Sequence, residues 1–126
     1  MYLKSLKNKN VIITGCNKGI GRATLEGFAK YGANIFACVR SDSKEFKKFT
    51  SSLKKKYKVK IYIIKLDLLK KTSISNCANE IFKVTKNVDI LVNNAGILFN
   101  SSFQMTSEKQ LQEMFQVNYF AQIYLT

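Results

Sequence analysis

The chain has 126 residues, 46% hydrophobic and 23% charged, with a formal net charge of +13 from 21 Lys and Arg against 8 Asp and Glu. That length suits one domain with its own core and is too short for two, and the steady recurrence of apolar residues argues against disorder. No run approaches the roughly 18 apolar residues that span a bilayer, the N-terminal stretch MYLKSLKNKN has no apolar leader core, and with no His a zinc site would have to rest on scattered Cys and carboxylates, so none is expected.

The three cysteines, Cys16, Cys38 and Cys77, form no CxxC, and an odd count without a leader points to a reducing compartment. A soluble, cytoplasmic protein is expected. The basic charge alone would suggest nucleic acid, but the lysines are spread along the chain. Their densest run, Lys54-Lys55-Lys56, falls where a helix should end, and cations are favoured there by the helix dipole. No nucleic-acid partner and no membrane partner is expected.

Short apolar runs alternate with longer amphipathic stretches. Val11-Ile12-Ile13-Thr14 is β-branched and almost continuous, as in a strand covered on both faces. A helix is expected from Gly19, with Ile20, Ala23, Gly27, Phe28 and Tyr31 on its apolar face and Gly32 as its stop. Ile35–Val39 reads as a second strand. Phe46, Phe49, Leu53 and Tyr57 stripe a second helix. Val59 to Leu66 makes a third strand, ending at Asp67. Ile74, Cys77, Ala78, Ile81 and Phe82 stripe a third helix. Val88–Val92 is a fourth strand, followed by Asn93-Asn94-Ala95-Gly96. A last helix begins near Ser107, a plausible N-cap. The order β-α-β-α-β-α-β-α, with right-handed crossovers, predicts an α/β fold: a doubly wound parallel sheet in a three-layer αβα sandwich, strand order 3-2-1-4.

The segment Thr14-Gly15-Cys16-Asn17-Lys18-Gly19-Ile20-Gly21 joins the first strand to the first helix. Gly15 permits the sharp turn, Gly19 close approach of backbone to phosphates, and Gly21 close packing of the helix on the sheet. The unpaired N–H groups at the helix start favour an anion. Cys16 lies near this helix start, where a thiolate would be favoured, or it is a small residue filling the loop.

The glycine spacing GxxxGxG, together with Asn93-Asn94-Ala95-Gly96 after the fourth strand, resembles the short-chain dehydrogenase/reductase family. Its TGxxxGIG pattern is met in full by Thr14 to Gly21 and its NNAG motif by Asn93 to Gly96, and Val117-Asn118 is similar to the family's Asn on the following helix. The resemblance implies a Rossmann-type sheet, a nicotinamide cofactor and a small-molecule carbonyl/alcohol substrate. It also implies homo-oligomers when the protein is full length. It places cofactor contacts at Gly15, Asn17, Lys18, Gly19, Ile20 and Gly21, and at Asn94, Ala95 and Gly96. Asp67 and Leu68 would face the adenine, or Asp67 is a loop carboxylate. Asn118 would be the catalytic-tetrad Asn, holding a water of the proton relay through the helix backbone.

Cofactor preference turns on the end of the second strand. An NAD site would carry Asp or Glu there. The chain reads Ala37-Cys38-Val39-Arg40-Ser41, and Arg40, with Lys18, suits a 2′-phosphate. The expectation is NADP(H), with NAD(H) possible; the other reading pairs Arg40 with Asp42. The family's Ser and YxxxK are absent: no Tyr has a Lys four residues on. The expectation is therefore an N-terminal portion, ending after the fourth strand and its helix and inactive by itself. One candidate is a 3-oxoacyl reductase. The alternative is a non-catalytic nucleotide-binding or partner-binding module.

Overall fold

The computed structural model describes residues 5–126; the first four residues of the stretch read above for a leader lie outside them. Four strands, β1 (Asn10–Thr14), β2 (Asn34–Val39), β3 (Ile61–Lys65) and β4 (Ile90–Val92), form one parallel sheet in the order β3-β2-β1-β4. The helices are α1 (Gly19–Lys30), α2 (Lys44–Tyr57), α3 (Lys71–Val84), α4 (Glu108–Phe115) and α5 (Ala121–Leu125), with a 3₁₀ turn at Phe103–Met105 and a π turn at Gln116–Phe120.

Side-chain alternation along the strands builds two cores. Val11, Ile13, Ile35 and Ala37 face α1 and α2, meeting Leu25, Ala29, Phe46 and Leu53. Ile12, Phe36 and Cys38 face the other way, against Ile74, Cys77 and Ile81 of α3 and Val117 and Ala121 near the end of the chain. This is the expected three-layer arrangement, and the continuous β-branched run of β1 is buried on both faces.

Several local expectations are corrected. The buried face of α1 is Gly21, Leu25 and Ala29, whereas Ile20 is 80% exposed and Ala23 is exposed too. The helix is phased by Gly21, whose bare Cα lies against the loop before it, and positions four and eight residues on follow it inward. Phe82, assigned to the buried stripe of α3, is 59% exposed. β4 pairs only over Ile90–Val92, because Val88 and Asp89 precede the ladder. The last helix keeps helical backbone from α4 through α5 but is not regular: a π turn lies between them. Gly32, at φ +88°, does terminate α1, and Ser107 caps α4 in a capping box with Gln110.

Candidate functional site

The carboxyl ends of β1 and β4 adjoin, and the chain leaves them in the glycine loop and the Asn93–Gly96 turn. Thr14, the last residue of β1 and almost fully buried, ties them together. Its Oγ1 accepts hydrogen bonds from the backbone N–H groups of Asn94 (3.1 Å) and Ala95 (3.0 Å). The Asn94 side-chain amide donates back to the carbonyls of Thr14 (3.0 Å) and Gly15 (3.1 Å). A hydroxyl ending an otherwise apolar strand was the available signal for Thr14, which carried no role of its own in the sequence reading.

The glycines differ in what they need. Gly15 has φ +68°, and a Cβ on it would stand 2.9 Å from the Ala95 Cα. A Cβ on Gly21 would collide with the Gly15 carbonyl oxygen and lie 2.5 Å from Asn94 Nδ2. Gly19, at φ +58°, has nothing within 4 Å of where its Cβ would be. It therefore needs left-handed backbone and leaves open space at the start of α1. Gly96 faces Asn118: its Cβ would lie 3.2 Å from Asn118 Oδ1.

Asn118 sits in the π turn. Its Oδ1 accepts from the Ile97 N–H (2.9 Å) and its Nδ2 donates to the Ile97 carbonyl (2.8 Å). Its side chain is thus committed to the strand of chain just after Gly96. Asn17 is half-buried, Lys18 and Ile20 are exposed, and Asn93 is exposed.

Asp67 and Leu68 follow β3. Asp67 Oδ1 accepts from the Leu69 N–H (3.1 Å), a loop-closing bond, and Oδ2 lies 3.8 Å from Lys70 Nζ. Leu68 is buried, and its carbonyl accepts from Gln116 Nε2 (3.1 Å). The loop after β3 is therefore pinned to the helix that carries Asn118.

Arg40 is exposed just beyond β2. It does not pair with Asp42, whose carboxylate is 2.8 Å from Lys47 Nζ, a bond that holds Asp42 below the usual carboxylate range. Among the described residues neither Arg40 nor Lys18 makes an ion pair. Cys16 is fully buried, and that burial pushes its thiol up to about 12. It fills space under the loop and is no thiolate at neutral pH. Cys38 and Cys77, remote in sequence, meet at 3.7 Å between β2 and α3.

Among the described residues no cluster of His, Cys, Asp and Glu could hold a metal ion, and no helix is long and apolar enough to cross a membrane. The glycine cradle, the open space at Gly19 and the two uncommitted cations fit a phosphate-bearing dinucleotide.

A sequence model of the short chain dehydrogenases matches residues 9–126. The chain belongs to this family of oxidoreductases. As a short-chain dehydrogenase chain it is 34% identical over 113 residues to a 3-oxoacyl-acyl-carrier-protein reductase of Aquifex aeolicus, covering 90% of this chain and 45% of that protein. It is 32% identical to an NADPH-dependent 3-dehydrocapnine reductase of Ornithobacterium rhinotracheale, covering 91% and 40%. L-sorbose reductase of Gluconobacter frateurii, solved with NADPH and L-sorbose, superposes with a TM-score of 0.89 at 29% identity, covering 97% of this chain and 46% of that one. The chain thus spans less than half the length of each of these proteins, and it shares its Rossmann-type sheet with the solved L-sorbose reductase.

Proposed function

We propose that this chain is the cofactor-binding portion of an NADP(H)-dependent reductase or dehydrogenase acting on a carbonyl/alcohol pair. The observation that carries the NADP(H) preference is Arg40. It stands just beyond the end of β2, where an NAD site would carry an acid and Cys38 and Val39 supply none, and its one near acid in sequence, Asp42, is held by Lys47. Two of the relatives described above are named or solved with NADPH.

In this reading the start of α1 and the loop Gly15, Asn17, Lys18, Gly19, Ile20 and Gly21 receive the pyrophosphate. Arg40 and Lys18 hold the 2′-phosphate. Asp67 and the Leu68 backbone meet the adenine, and Asn94, Ala95 and Gly96 meet the adenosine ribose. The nicotinamide, when bound, supplies or accepts the hydride. Asn118 has both ends of its side-chain amide engaged by Ile97, so its share of a proton relay falls to the main chain of the π turn. The proton donor belongs to the whole protein, since no YxxxK occurs in these 126 residues. The exposed aromatic face of Phe115, Tyr119 and Phe120 supports a homo-oligomer for that whole protein. A 3-oxoacyl substrate rests on one relative's name and stands as the first substrate to try.

Fluorescence titration tests the cofactor assignment. The chain should bind NADPH at least about tenfold more tightly than NADH, the value of one charge-assisted contact, and Arg40→Ala should erase the difference. Equal affinities in the parent chain overturn the assignment.

A further inference from the structure

The segment after β2 crowds together cations and acids, and their pairing is selective. Asp42 follows Arg40 by two residues, within the reach of a long flexible side chain. It is instead bonded to Lys47 Nζ at 2.8 Å. The next acid, Glu45, is 3.0 Å from Arg22 Nη1 of α1. Arg22 is held in turn by Phe49, whose ring centroid lies 4.1 Å from its guanidinium carbon. Each acid of this segment is thus matched to a cation other than Arg40. The base of Lys47 is set by the start of α2, where Ser43 Oγ accepts from the Phe46 N–H at 3.1 Å and the Lys47 N–H bonds the Ser43 carbonyl at 3.0 Å.

We infer that Lys47 is a positioning residue for cofactor choice: by holding Asp42 it keeps Arg40 free for the 2′-phosphate. This rests on the assignment of Arg40 above. A carboxylate on Arg40 would both occupy its donors and repel an incoming phosphate dianion. Lys47 acts through Asp42 and does not touch the phosphate itself.

A double-mutant cycle on this chain tests it, with dissociation constants for NADPH and NADH measured on the parent, Lys47→Met, Asp42→Asn and the double variant. Lys47→Met should weaken NADPH binding about threefold to fivefold, the scale of an exposed ion pair, and leave NADH within about twofold. Adding Asp42→Asn should restore the parental NADPH affinity, because the competitor is then gone. Far-UV circular dichroism and the NADH constant report whether each variant is folded. An unchanged NADPH constant in Lys47→Met overturns the inference. So does a loss that persists in the double variant, which would mean that Lys47 meets the phosphate directly. A parent that binds NADH as tightly as NADPH removes the assignment of Arg40 and this inference with it; a parent that prefers NADPH but shows no coupling removes this inference alone.

Discussion

Thr14 and Asn94 hold each other twice: the Asn94 N–H donates to Thr14 Oγ1 at 3.1 Å, and the Asn94 side-chain amide donates to the Thr14 carbonyl at 3.0 Å. The same hydroxyl also receives the Ala95 N–H. Thr14→Val keeps the shape and leaves the Ala95 N–H without its acceptor, while the Asn94 N–H keeps the Val92 carbonyl at 3.0 Å. It should cost about 1–3 kcal/mol of stability, the scale of one donor left unsatisfied away from water. Thr14→Ser should recover most of that. Urea denaturation decides it, and a valine variant as stable as the parent would remove the hydroxyl's role.

Asn118 and Ile97 make a second clamp on the same stretch of chain. Asn118→Ala should release the Ile97 amide, raising its hydrogen-exchange rate about twofold to tenfold for a bond worth roughly 0.5–1.5 kcal/mol. Asn118→Asp keeps the acceptor for the Ile97 N–H but sets a carboxylate oxygen against the Ile97 carbonyl, so protection should fall there as well. Unaltered exchange at Ile97 in both variants would contradict the clamp.

The glycines of the loop should fail differently. Gly21→Ala drives a methyl into the Gly15 carbonyl and the Asn94 amide, and should destabilise the chain by roughly 1–3 kcal/mol or more, despite alanine's better helix propensity. Gly19→Ala meets no atom, so only left-handed strain of roughly 1–2 kcal/mol applies. Its NADPH affinity should nonetheless fall more than the melting shift explains, because the open space at Gly19 is where phosphate is proposed to lie. Calorimetry and titration of both variants separate the two effects.

Acid should act at the opposite end of the sheet. Asp89 accepts from the Asn10 N–H at 2.8 Å and pairs with Lys9 at 3.0 Å, and these, the backbone bond first, hold its carboxyl below the usual range. Its folded pKa is depressed, so its stabilising contribution is complete above the ordinary carboxylate value of about 3.9 and is lost as pH falls through the lower folded value. Asp89→Asn should therefore be less stable than the parent at neutral pH, with the gap narrowing below about pH 4. Urea midpoints across that window give the comparison, and a gap independent of pH would show that the charge is immaterial.

The sheet and the neighbourhood of the two motifs were legible because they rest on local signals. β-branched runs mark buried parallel strands, and glycines mark turns that no other residue makes as readily. The face of α1 was misread, since Ile20 and Ala23 were taken as its apolar side, whereas Leu25 and Ala29, four apart and in step with Gly21, with Phe28 beside them, are what the core takes in. The partner of Asp42 was missed because proximity in sequence offered only Arg40 as an alternative, whereas Lys47, in the first turn of α2, reaches the Asp42 carboxylate. Cys38 and Cys77 came together only through the packing of α3 on β2. Nothing in the composition of Gln116–Phe120 announces a π turn, because an extra residue in a helix has no propensity of its own.

That turn has one residue more than an α-helix would use over the same rise. Each residue advances a helix by about 100°. The segments on either side are therefore out of step by that angle; Asn118, within the turn, is held on Ile97, and Ala121, just after it, lies in the core beside α3. Deleting one residue of 116–120 other than Asn118 should give a regular α-helix with the two segments in one phase. It could then satisfy one anchor and not the other. The chain length of this helix, as much as its residue types, is thus part of what seats Asn118.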